Sequence, residues 1–253
     1  MNRTGCFVTA LVLLCGCAGR RGAASDTALL LTEVHSMAGA APETLVTWIA
    51  DGRVRVAHRG GVAILDAHAD QFRLLDPASH TVRTMRLGEW EQKLRVAVQS
   101  AAEGAAADSV AEPALQFELE GPGGEILGHA CTRYHVYTTR QLFPGEWEDI
   151  EQEIWVAADL GLTPSAAATY RRMLASLDWI GLDAAVERPP GVALRTQIRR
   201  RPHATAAPAP RNAPAGEDVE TSEVTRIDTR PAPPEVFSVP PGYRPASATD
   251  PER

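Results

Sequence analysis

The chain has 253 residues, 44% of them hydrophobic and 23% charged, which is enough to bury one sizeable core in a single domain. Its formal net charge is −7 and no basic stripe interrupts that balance, so nucleic acid is a poor fit as a partner.

In chain order, the first signal is a positive start at Arg3 followed by the apolar run Phe7 to Leu14. That run has the length of an export signal, and about half of the roughly 20 residues that a spanning helix needs. The sequence Leu14-Cys15-Gly16-Cys17 then resembles the lipobox of bacterial lipoproteins, in which an aliphatic and a small residue precede the cysteine that is lipidated and becomes the first residue. Cys15 departs from the small residue usual at the penultimate position, whereas Leu14 and Gly16 keep to the pattern. The resemblance implies cleavage between Gly16 and Cys17, removal of residues 1–16, and anchoring of Cys17 in a membrane. An ordinary signal peptide cleaved near Ala23-Ala24 is the alternative. Cys6 and Cys15 leave with such a leader and Cys17 is capped, so Cys131 has no intramolecular partner and reads as a buried thiol. Each buried methylene contributes about 0.8 kcal/mol, so two or three acyl chains would make release negligible. In a Gram-negative cell, Ala18 rather than Asp after the cysteine resembles the outer-membrane sorting pattern, which implies the periplasmic face of that membrane.

Residues 17–26 are small and polar, the composition of a tether, and the folded domain is expected over 27–245. Strands are predicted at Leu29 to Val34, Thr44 to Ile49, Arg53 to His58, Gly61 to Leu65, Phe72 to Leu75 and Val82 to Met85, with turns at Asp51-Gly52, Gly60-Gly61 and Asp76-Pro77. Leu87, Trp90, Leu94, Ala97, Val98 and Ala101 recur at helical spacing, which predicts an amphipathic helix over 87–103 lying on the sheet. Strands resume at Leu115 to Glu120, with a turn at Gly121-Pro122-Gly123-Gly124, then at Ile126 to Tyr137 and Glu151 to Ala157. Thr163-Pro164 starts a second helix whose buried stripe is expected at Ala167, Tyr170, Leu174, Leu177 and Ile180. After a strand at Val192 to Ile198, residues 201–217 form a Pro/Ala-rich insertion. A strand at Val219 to Ile227, an extended proline-bearing segment from Pro231 to Tyr243 and a disordered tail over 246–253 complete the chain.

Several groupings tempt a chemical reading and yield to plainer ones. Period two puts His129, Cys131 and His135 on one strand face, but His135 lies about 13 Å from Cys131, too far to share an ion. Asp66, His68 and Asp70 sit where a hairpin needs polar turn residues. The acidic run from Trp147 to Glu153 alternates like a solvated strand. No Gly-rich phosphate loop, Gly-x-Ser-x-Gly elbow or His-Glu-x-x-His pair is present, so no catalytic residue, metal or cofactor is assigned and the chain is not expected to be an enzyme.

Five stretches carry a family resemblance: 48–55, the hairpin 64–85, 127–136, Ile154-Trp155-Val156-Ala157, and Val236 to Tyr243. Together they resemble a family of uncharacterised bacterial envelope domains similar to the LolA/LppX-like lipoprotein carriers. The resemblance implies a mainly β fold with helices, an antiparallel half-open β-barrel with two helices covering the concave face. By analogy with the carriers it also implies a hydrophobic ligand, a small molecule or acyl chain, lined by Trp90, Leu94, Tyr170, Leu174 and Trp179. A filled core requires the same pattern, which leaves an interaction or scaffolding lipoprotein as the alternative and a hydrolase as a remote third. A chain tethered through Cys17 cannot shuttle far, so a receptor-like, sensing or structural role fits better than free transport.

Overall fold

The computed structural model describes residues 27–93, 96, 116–143, 146–177, 190–203 and 218–247. The lipobox with Gly16 and Cys17, the tether, Leu94, Trp179, most of the 201–217 insertion and the tail from 248 lie outside these residues. Among the described residues no helix is long and apolar enough to cross a membrane.

The six strands expected at the start form as β1 (Thr27–Met37), β2 (Glu43–Ala50), β3 (Arg53–His58), β4 (Gly61–Asp66), β5 (Gln71–Asp76) and β6 (Thr81–Arg86). Helix α1 follows at once and is described over 87–93. Then come β7 (Gln116–Ile126), β8 (His129–Phe143), β9 (Glu146–Ala157), helix α2 (Pro164–Leu177), β10 (Val192–Pro202) and β11 (Asp218–Pro231). A 3-10 turn at Pro234–Phe237 and a two-residue strand β12 (Arg244–Pro245) end the described chain. Among the described residues, twelve strands form one sheet in the order β12-β6-β5-β4-β3-β2-β1-β11-β10-β9-β8-β7. Its edges, β12 and β7, do not meet, so the sheet is open. Two meanders are thus joined at the centre by the antiparallel pair β1 and β11, and only β12 runs parallel to its neighbour.

Local chemistry explains the punctuation. Gly52 takes φ +64 in the β2–β3 turn, and a Cβ there would run into the His68 ring, so both backbone and space require glycine. Helix α2 begins with Thr163, whose Oγ1 accepts the Ala166 N–H at 3.1 Å and so satisfies one of the donors a helix start leaves open. The same hydroxyl donates to Asp51 Oδ1 at 3.3 Å, tying the helix start to that turn.

Three sequence expectations need correction. The glycines at 121–124 do not turn the chain: β7 continues to Ile126, and register shifts between Leu119 and Gly121 and between Pro122 and Glu125 mark bulges there. The hairpin turn is Leu127-Gly128, both at positive φ (52 and 83), a geometry that leucine rarely announces. In α2 the buried positions are Ala166, Thr169, Tyr170 and Met173, with Leu174 half-buried, so the stripe is rotated from the expected one. Thr169 tolerates burial because its Oγ1 donates to Ser165 O at 2.9 Å. The segment after Pro231 is not extended throughout, since the 3-10 turn interrupts it.

The first meander is covered on both faces. On one, Leu29, Leu31, Ile49, Val54, Leu65 and Phe72 form a core cluster with Leu87 of α1 and Ala166, Tyr170 and Met173 of α2. On the other, Ala28, Leu30, Trp48, Ala50, Ile64 and Leu75 form a second cluster closed by Phe237, with Val236, Val239 and Tyr243 packed against it. Arg73 Nη1 donates to Phe237 O at 3.3 Å and the Arg53 guanidinium lies 4.7 Å from the Phe237 ring centre, so the returning segment is pinned as well as packed.

Candidate hydrophobic-ligand site

The helical face brings together three of the five expected lining residues. Trp90 stacks on Phe72 with ring centres 5.0 Å apart, Tyr170 is buried, and Leu174 packs half-buried against the same core cluster. Phe72, Leu87 and Met173 beside them are fully buried, so this part of the face is filled by protein. Trp90 Nε1 is buried there without a hydrogen-bond partner.

The same face of β1 continues beyond that core. Leu29 and Leu31 belong to the core cluster, and two-residue alternation carries the face on to Glu33, His35 and Met37. Register extends it across the second meander in two rows. Met37, Glu220, Ile198, Gln152, Val136 and Phe117 are successive partners from β1 to β7. His35, Ser222, Thr196, Ile154, Tyr134 and Leu119 form the next row. Ile198, Ile150 and Val136 are buried but belong to neither core cluster, and Phe117 and Leu119 are exposed at the sheet edge.

A polar group is set into this apolar face where β1, β11 and β10 meet. Glu220 pairs with Arg200 at 2.6 Å and with His35 at 2.9 Å. The Ser222 hydroxyl donates to Glu33. Burial pushes the Glu33 carboxyl above its ordinary value of 4.5, and His35 only partly opposes this. Two strands away, Gln152 is 9% exposed and its Oε1 is buried without a partner. Sequence reasoning missed these residues; the one available signal was a carboxylate directly after the apolar start of β1.

The opposite face of the second meander is a cross-strand array of charge, which accounts for the acidic run in β9. Glu151 meets Arg201 at 3.0 Å and His135 at 3.3 Å, and Glu153 meets Arg199 at 3.5 Å. Asp149 meets His203 at 2.6 Å and accepts the Thr139 hydroxyl at 2.9 Å. Burial tends to raise the Asp149 carboxyl, but hydrogen bonds from His203, Thr139 and Tyr137 outweigh it and hold the group below its ordinary value.

The remaining tempting groups sit apart. His129 pairs with Asp159 at 3.2 Å, His135 belongs to the charge array, and Cys131 is a buried free thiol pushed up by burial. Asp66 Oδ1 accepts the Ala69 N–H at 3.0 Å and His68 Nε2 lies 3.1 Å from Asp51 O, which are turn contacts. Among the described residues no three such side chains converge as metal ligands.

No protein-family model and no curated protein matches the chain. Among solved structures, PNGF-II in space group C2 is similar with a TM-score of 0.40 at 11% identity, over 84% of this chain and 30% of that one, so the chain spans under a third of its length. A LolA superfamily protein of Nitrosomonas europaea gives 0.26 at 7% identity, over 85% of this chain and 91% of that one. A DUF1329 family protein of Desulfovibrio piger gives 0.29 at 9% identity, over 85% and 90%. None of these likenesses makes the chain a member of a family.

Proposed function

We propose that the protein is a membrane-anchored envelope lipoprotein whose open sheet holds a lipid or other hydrophobic ligand. The observation that carries the ligand is a track of apolar side chains across the second meander, Ile198, Ile150 and Val136, which reaches exposed Phe117 and Leu119 at the sheet edge. Apolar side chains that emerge at a sheet edge, beside a buried Gln152 Oε1 without a partner, are the kind of lining that a hydrophobic ligand with a polar group would cover. The anchor rests on the lipobox at Leu14 to Cys17 and on the tether composition that follows it.

Two measurements test this. Cys17→Ser is expected to abolish palmitate incorporation and release the chain from membranes; retention of both label and membrane association would remove the anchor. Native mass spectrometry of the purified chain is expected to show bound lipid. A chain that stays ligand-free after exposure to added lipids supports a second reading, an interaction or scaffolding lipoprotein. The filled packing of Phe72, Trp90, Tyr170 and Met173 specifically favours that reading for the first meander.

A further inference from the structure

The polar residues set into the apolar face have a definite arrangement, and it bears on which amphiphile the face accepts. Arg200 spends its charge on Glu220 at 2.6 Å, and the His35 ring lies 2.9 Å from the same carboxylate, so the site offers no uncommitted guanidinium to a carboxylate or phosphate head. Any anion brought here would also face the carboxyls of Glu33 and Glu220. An ammonium head would have to displace Arg200 or His35 from Glu220, or the Ser222 hydroxyl from Glu33. What the site does leave open is hydrogen bonding. Gln152 Oε1 is buried with no donor, in a residue that is 9% exposed, and such an orphan acceptor is destabilising until a donor arrives. Gln152 stands two strand spacings, about 10 Å, from Glu220 along one row, and about 12 Å from Ser222, which is diagonal to it in the next. From Gln152 the same rows run two further strands through Val136, Ile154 and Tyr134 to the edge at Phe117 and Leu119.

The geometry points to an amphiphile with a neutral, polyhydroxyl head: hydroxyls bridge Gln152 and the Ser222–Glu33 pair, and one hydrocarbon chain lies along the rows toward β7. This rests on the ligand-binding reading above and narrows it. The head supplies the donor that Gln152 lacks, and its several hydroxyls span a distance that a single hydroxyl or amide cannot.

The test uses the chain as extracted from its native membranes, in phosphatidylcholine nanodiscs, and three photoreactive probes. Each probe carries the same diazirine-bearing twelve-carbon chain, and their heads are a glucoside, a carboxylate and a primary ammonium. The glucoside is expected to label peptides of β8 to β10 at least about fivefold more than either charged probe, the ratio set by roughly one hydrogen bond. Gln152→Met, which keeps size and removes the acceptor, is expected to cut glucoside labelling about fivefold, and Ser222→Ala to reduce it as well, with melting temperatures recorded to confirm folding. Equal labelling by all three heads, or unchanged labelling of folded Gln152→Met, overturns the neutral-head assignment and leaves ligand binding standing. Failure of every probe to label this face overturns both.

Discussion

The two meanders of this sheet are built from the same kind of strand and covered in different ways. In β4, Ala63, Ile64 and Leu65 are consecutive and all buried, because α-helical residues cover one face and the returning C-terminal segment the other. In β9, Glu151, Gln152 and Glu153 alternate, with carboxylates in the charge array on one face and an amide on the apolar track of the other. A strand buried on both faces loses its alternation and a strand buried on one keeps it, so covering rather than propensity writes the pattern. The first meander is a platform. The second carries a charge array on one face and the apolar track on the other.

The sharpest way to break that distinction is to truncate the core on each side of it. Phe72→Ala removes a fully buried ring that stacks on Trp90, and it is expected to lower stability by about 3–5 kcal/mol in urea unfolding. If the proposed ligand site is real, Ile198→Ala in delipidated protein is expected to cost less than the roughly 2 kcal/mol at which filled-core aliphatic truncations begin, although Ile198 is buried in the free chain. Equal losses per methylene at the two sites would mean that the second meander is as filled as the first.

The charge array gives the next largest effect, and its sign follows from Asp149. Its folded carboxyl lies below the unfolded value, so its contribution to stability is present above the ordinary carboxylate range and is lost as pH falls through the folded value. Asp149→Asn is expected to cost about 1 kcal/mol at pH 7 and nearly nothing at pH 2, read as urea midpoints across that interval. A constant difference between the two proteins at all pH values would mean that the hydrogen bonds from His203 and Thr139 do not depend on the charge.

Much of the fold was legible because its signals are local. All six strands of the first meander follow from apolar runs separated by turn residues, and Thr163-Pro164 announces α2 through the chemistry of a helix start. What failed was tertiary in origin. The Gly-rich stretch at 121–124 carries turn residues that β7 uses for bulges, and Leu127 adopts positive φ only because the β7–β8 pairing demands it. The expected lining residues were chosen from helices, where an apolar stripe is visible. Three of them lie in or against the packed core, and the polar group joins Glu33 of β1 to Arg200 and Glu220 of β10 and β11, which lie at the far end of the chain, so local spacing does not bring them together.

The smallest expected effect has the opposite sign and separates the halves most cleanly. Glu33 sits on the face shared by both meanders, one alternation beyond Leu31, and burial holds its carboxyl above 4.5. A carboxyl raised in the folded state stabilises fully below its unfolded value, and that contribution fades as pH rises through the folded one. Glu33→Gln keeps an acceptor for the Ser222 hydroxyl and removes the charge. It is therefore expected to raise the urea midpoint at pH 7.5 and leave it unchanged at pH 4, whereas Asp149→Asn lowers the midpoint at neutral pH. A midpoint raised by Glu33→Gln at neutral pH would fit the ligand-binding proposal for this face better than a packed platform. If Glu33→Gln lowers the midpoint at pH 7.5, the ionised carboxylate is holding the strands together and this end of the track belongs to the platform.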